Sequence, residues 1–179
     1  LDPLVDKQGG IKKSANWYRT NVQSMADKFT ARKLMNQGRL LGLPSGGRLN
    51  MFFYDPKGKK KLPYYDTFPL VLPLESIRGG FLGMNFHYLP YLLRFRLLER
   101  MQKFSTGGFD RTTRLDANYD DIKSIGLARP TIKKYLYNHV QSRFLRIDFD
   151  EAVLAAYLPV QQFKKAGTSK VWSDSRRMI

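Results

Sequence analysis

Near the start of the chain, apolar residues fall at Ile11, Ala15, Tyr18, Val22, Met25 and Phe29, spaced 4-3-4-3-4. That spacing lines one stripe of a helix and predicts a helix over about 11–35, with Trp17 broadening the stripe. Lys12, Lys13, Asn16, Arg19, Gln23 and Lys28 take the other faces. Such a stripe serves either as packing against the helix's own domain or as a coiled-coil-like interface to a neighbouring subunit.

From about residue 48 to 88 the pattern changes to short extended segments. Leu49–Tyr54 and the region around Leu62–Tyr65 read as arms of a hairpin, with Asp55-Pro56-Lys57-Gly58 as a tight turn between them. Phe68–Glu75 (FPLVLPLE) is extended, but Pro69 and Pro73 remove ladder donors and point to an edge strand or a broken one. Ile77–Tyr88 opens with a Gly-Gly turn and continues as a strand, with Gly83 marking a bulge or a close backbone approach. These segments make a small antiparallel sheet or partly open barrel, joined by a late strand near 143–148.

Helical spacing returns at 90–104, where Leu93, Leu97, Met101 and Phe104 form an inner stripe behind Pro90. Further helices are expected near 120–125, over 130–140 with Ile132, Leu136 and Val140 inward, and over 149–157, which Pro159 ends. The class is α+β. The expected organisation is an arm and amphipathic helix over 1–47, a core over 48–159, and a basic tail over 160–179 with Trp172 as a lone anchor.

Composition adds a partner class. The chain has 179 residues and a net charge of +16. The excess is spread: nine bases against three acids in residues 1–48, nine against four in 49–104, and thirteen against eight in 105–179. Positive charge distributed in this way suits a polyanion or acidic protein neighbours. The 24 aromatic residues supply a real core. There is no cysteine, so disulfides and thiolate metal sites are excluded. No apolar run reaches membrane-span length and no secretory signal is visible.

Catalytic patterns are missing. His87 and His139, each beside tyrosines, read as hydrogen-bonded packing residues. There is no phosphate-binding loop and no dinucleotide glycine fingerprint. Asp120-Asp121, and Asp148, Asp150 and Glu151, fit a solvated loop and a helix N-terminus. The expectation is a protein without enzymatic activity, cofactor or metal.

The candidate contacts are therefore cationic. Lys57, Lys59, Lys60 and Lys61 crowd one loop tip between aromatic flanks, where mobile point charges suit phosphate rather than base edges. Next come Arg94, Arg96 and Arg100 on the 90–104 helix, then Lys133 and Lys134, then Arg176 and Arg177 in the tail. None forms a base-reading pattern, so nucleic-acid binding through them would be backbone-directed and salt-dependent.

Four strings carry a resemblance: FFYDPKGKKKLPYYDTFPLVLPLE, GGFLGMNFHYLP with the Leu/Arg-rich helix after it, KKYLYNHVQSRFLRID, and KVWSDSR. Over roughly residues 11–175 the chain resembles a structural or assembly family of large contractile-tailed bacteriophages, specifically the DNA end-protector family. The resemblance implies a non-enzymatic virion protein, assembled in the host cytoplasm among other phage structural proteins, in multiple copies of a symmetric assembly, and contacting packaged double-stranded DNA or adjacent subunits. It transfers no site residues. The alternatives are a purely architectural tail, baseplate or neck subunit without DNA contact, and a cellular RNA-binding protein.

Overall fold

The computed structural model describes residues 30–37, 39–107 and 111–179. The stripe from Ile11 to Phe29 lies outside the described residues. So does most of the helix expected over 11–35. Thr30 is not helical and its hydroxyl accepts from Lys33 N–H, so that helix does not run unbroken to residue 35; α1 is a short helix of its own, Ala31–Gln37.

The strands are β1 (Arg39–Leu41), β2 (Leu49–Met51), β3 (Tyr65–Asp66), β4 (Leu70–Ile77), β5 (Gly80–Asn85), β6 (Ser105–Thr106), β7 (Arg114–Leu115), β8 (Ile132–Leu136), β9 (Phe144–Ile147) and β10 (Phe163–Lys164). Six of them form an open antiparallel sheet in the order β1-β9-β2-β4-β5-β8. It does not close into a barrel, and among the described residues β1 and β8 are its edges. Two short pairs, β3 with β10 and β6 with β7, flank it. The helices are α2 (Tyr91–Met101), α3 (Tyr119–Ile122), α4 (Ala152–Tyr157) and α5 (Thr168–Met178). The α+β class and the late strand are as expected.

Both faces of the sheet are covered. Leu70, Leu72 and Leu74 of β4 join Met51, Met84, Leu97, Leu98, Met101 and Tyr157 in the main core, under α2 and α4. Val71, one residue out of phase, faces a second cluster of Phe52, Tyr54, Phe81, Tyr135 and Phe144. A strand buried on both faces reads as a continuous apolar run, which explains LVL at residues 70–72. In the second cluster the Phe52 ring lies 4.8 Å from Phe144 and 5.4 Å from Tyr135, and Tyr54 lies 4.9 Å from Tyr135. Each such pair contributes about 0.5–1.5 kcal/mol beyond its area.

Three local expectations change. The arms of the expected hairpin do not pair as strands: β2 pairs with β4 and β9, and β3 with β10. One backbone bond, from Tyr54 N–H to Thr67 O at 3.0 Å, joins the two flanks. Next, of the two readings of the proline-bearing strand, the edge position fails and the break holds: β4 lies inside the sheet and its ladder is interrupted at the proline. β2 reaches only Leu70 and Val71, so Pro73 meets a strand on one side alone, and the ladder slips between Pro73 and Glu75. Gly83 stands opposite, where a side chain would collide with Val71; the expected close approach is there. Finally, 130–140 is not a helix. A 3₁₀ turn over Gly126–Thr131 runs into β8, and a second 3₁₀ turn covers Tyr137–His139. Ile132, Leu136 and Val140 also fit helical spacing, but pairing with β5 stacks Tyr135 on Phe81 at 5.5 Å and prevails.

Residues 160–179, read as a basic tail, hold β10 and α5. The helix carries Lys170–Asp174 and Arg177–Asp174 ion pairs on its outer side and buries Val171. Trp172 anchors it as expected, donating from Nε1 to His87 O at 2.9 Å. Only two adjacent apolar side chains face inward at this point, too few to register as a period.

Candidate nucleic-acid interface

The loop between Tyr54 and Tyr65 is tied down at several points. Lys61 N–H donates to Gly58 O at 2.9 Å, with Gly58 at φ +69°, a left-handed conformation that glycine adopts freely. The hydrogen-bonded turn thus closes later than Asp55–Gly58. Asp55 N–H donates to His139 O at 3.0 Å, and His139 Nδ1 donates to Asp55 O at 2.9 Å. From the other side, Lys165 Nζ donates to the carbonyls of Lys59 and Leu62. Lys57, Lys59, Lys60 and Lys61 are therefore presented on a fixed loop and are all exposed. Lys59 spends part of its charge on Asp55 at 2.9 Å.

This loop faces the β8 edge across a pocket of about 540 Å³. Its walls include Tyr54, Tyr64, Tyr65, Tyr88 and Tyr135, and Lys57, Lys133 and Lys134 converge on it. Tyr54 and Tyr135 belong to the aromatic cluster, so that wall is held by packing. Tyr54 Oη also accepts from Leu136 N–H at 2.8 Å and blunts the edge strand.

Lys133 is the unusual member. Its Nζ sits 4.0 Å from the centre of the Tyr88 ring, a cation–π contact worth about 0.5–2 kcal/mol. Burial alone lowers it from the ordinary lysine range to about 8. Among the described residues, Lys57, Lys133 and Lys134 have no carboxylate ion-pair partner. The pocket's one acid among the described residues, Asp66, is used up. Its Oδ1 accepts from Phe68 N–H (3.0 Å) and Gln162 N–H (3.1 Å), and its Oδ2 from Asn85 Nδ2 (3.1 Å) and His87 Nδ1 (2.8 Å). Burial opposes charge on both Asp66 and His87. The pair carries a single charge, and four donors place it on Asp66, leaving the imidazole neutral. Both expected packing histidines have that role.

The arginine helix face is divided. Arg94 is fully buried and cannot contact a partner. It donates to Leu89 O at 2.7 Å, Ala156 O at 2.9 Å and His87 O at 3.3 Å, and lies over the Tyr91 ring at 4.6 Å. Burial lowers it to about 10. The inner stripe of α2 is rotated from the expected one, to Arg94, Leu97, Leu98 and Met101, because carbonyls at the ends of other elements satisfy the guanidinium. Arg96 and Arg100 remain exposed, as do Arg176 and Arg177, the last paired to Asp174.

A second cationic cluster has no local sequence signal. At the β1 edge, Asp148 meets Arg39 (3.2 Å), Arg48 (3.4 Å) and Arg146 (3.0 Å). The register places Arg39 opposite Arg146 across β1 and β9. Asp148, with Asp150 one of two candidates to cap the helix that follows, makes no capping side-chain bond and is held by these arginines instead. Among the described residues, no group of three or more His, Asp or Glu is placed to hold a metal ion, and no helix is long and apolar enough to cross a membrane.

Fold and site together define a small α+β protein whose open antiparallel sheet carries a cationic, tyrosine-lined groove along one edge. The model of the Phage T4 terminal DNA protecting protein family matches residues 7–175, and the chain belongs to that family. The resemblance to the end-protector family therefore holds. No curated protein and no solved structure matches the chain.

Proposed function

We propose that this protein protects the ends of phage DNA by covering them, without breaking any bond, and that the β8 edge with the lysine loop is the covering surface. The family's name supports DNA-end protection. The observation that carries the surface assignment is the convergence of Lys57, Lys133 and Lys134 on one groove, without carboxylate partners among the described residues. Lysines on a fixed loop neutralise phosphates without reading sequence, which suits a protein that must accept any terminal base pair. Lys59, Lys60 and Lys61 extend the same surface, and Arg96, Arg100, Arg176 and Arg177 add long-range attraction. The protein acts in the virion beside other structural subunits, in more than one copy.

The test uses linear duplex DNA with a processive exonuclease. The protein should lengthen the life of linear DNA, and covalently closed circles should compete weakly for it. Its affinity should fall steeply between low and moderate salt. Changing Lys57, Lys59, Lys60 and Lys61 to Ala should weaken binding at least tenfold and flatten the salt dependence by about 3–4 in log–log slope. Circles that compete as well as linear DNA would rule out end protection. Unchanged binding by the quadruple variant would move the contact away from this loop.

A further inference from the structure

We infer that the pocket between the lysine loop and the β8 edge receives the phosphorylated terminal nucleotide of the DNA, with Lys133 as its phosphate contact. This rests on the proposed end protection and goes further, by naming what the groove holds. At about 540 Å³ the pocket falls within the small-molecule range of about 300–1,000 Å³. It is far too small for a duplex, whose major groove alone is about 12 Å wide. The part of a DNA end that fits is one frayed nucleotide.

The walls match the parts of that nucleotide. Tyr64 and Tyr65 are half-buried and line the pocket, and aromatic side chains are what a base stacks on. Stacking of this kind tolerates any base, so it suits an end of arbitrary sequence. Lys133 is a half-buried ammonium held on the Tyr88 ring, and among the described residues no acid neutralises it. A phosphate supplies the missing counter-charge, in a place where the desolvated pair is stronger than on open surface. Lys57 and Lys134 at the same pocket take the second phosphate charge and the next linkage. An internal stretch of duplex presents no nucleotide free to leave the stack, so the pocket distinguishes an end from the interior.

The experiment measures binding of the full chain to short duplexes closed by a hairpin at one end. The other end carries a 5′-phosphate, a 3′-phosphate or only hydroxyls; a fourth duplex is hairpin-closed at both ends. One of the two phosphorylated ends should bind about tenfold tighter than the hydroxyl end, which identifies the strand polarity. In Lys133→Met that preference should drop below twofold, and Lys133→Arg should recover part of it. Equal affinity for all three open ends, with the doubly closed duplex still weaker, would overturn the pocket assignment and leave end protection standing. Equal affinity for open and closed duplexes would overturn end protection itself. Retention of the phosphate preference in Lys133→Met would also overturn the assignment. The wild-type comparison decides the matter even if that variant fails to fold.

Discussion

Among the described residues, three cations gather at each edge of the sheet, and the two sets are used in opposite ways. At the β1 edge, Arg39, Arg48 and Arg146 surround the carboxylate of Asp148. At the β8 edge, Lys57, Lys133 and Lys134 face a pocket whose one acid among the described residues, Asp66, is buried and saturated by four donors. Planar guanidinium groups that share one carboxylate make a structural clasp, holding β1 and the start of β2 to the end of β9. Ammonium groups kept apart from acids retain unspent charge. The contrast shows that uncompensated charge follows from where the acids are placed, not from how many bases an edge carries.

The largest effect should come from removing the acid behind the lysine edge. Asp66→Asn takes the charge from a buried site that ties β3 to Asn85, His87 and Gln162, and should cost about 3–5 kcal/mol of unfolding free energy. Asp66 is held below the ordinary carboxyl range, so its contribution is complete above about pH 4, the unfolded value, and is lost as pH falls through the folded value. Urea unfolding at pH 7 and at pH 3 checks this: the penalty should shrink at the lower pH. A pH-independent penalty would mean that geometry rather than charge holds the site.

Asp148→Ala should cost less, about 2 kcal/mol, because Arg39 can turn to solvent from its 57% exposed position. It should also strengthen non-specific DNA binding by releasing three arginines. If it leaves stability unchanged, the cluster is no clasp and the contrast between the edges fails.

The smallest effect belongs to Lys133. Its folded value, about 8, lies below the unfolded value of about 10.4, so the native state binds fewer protons between these limits. Stability should therefore rise as pH increases from 8 to 10, and Lys133→Met should remove that part of the slope. The variant should also be more stable by about 1 kcal/mol at pH 7, because it no longer buries an unpaired charge. A slope identical in both proteins would show that Lys133 is solvated and not poised for an anion.

Much of the architecture was legible because its signals are local. The α2 boundaries, the late strand, the close approach at Gly83 and the anchoring role of Trp172 each follow from a few neighbouring residues. The errors share a cause. Ile132, Leu136 and Val140 satisfy a helical period, yet the segment is a strand because Tyr135 joins an aromatic cluster drawn from four other segments. Arg94 looks like one member of an exposed basic face, yet its partners are carbonyls up to 62 residues away. The tyrosine walls of the groove were only half visible, as the pair at Tyr64 and Tyr65; Tyr54, Tyr88 and Tyr135 reach the same pocket through the fold.

By itself, the sequence determined the family, the α+β class, the strongly basic character and the existence of an exposed lysine loop. These depend on composition and on short-range patterns of apolar residues and turns. Only the tertiary structure decided which cations are compensated. Arg39 lies 109 residues from Asp148, and Lys133 acquires its ring from Tyr88 on another strand's extension. Neutralisation and desolvation act over a few ångströms in space, and no periodicity along the chain encodes which charges the fold brings that close.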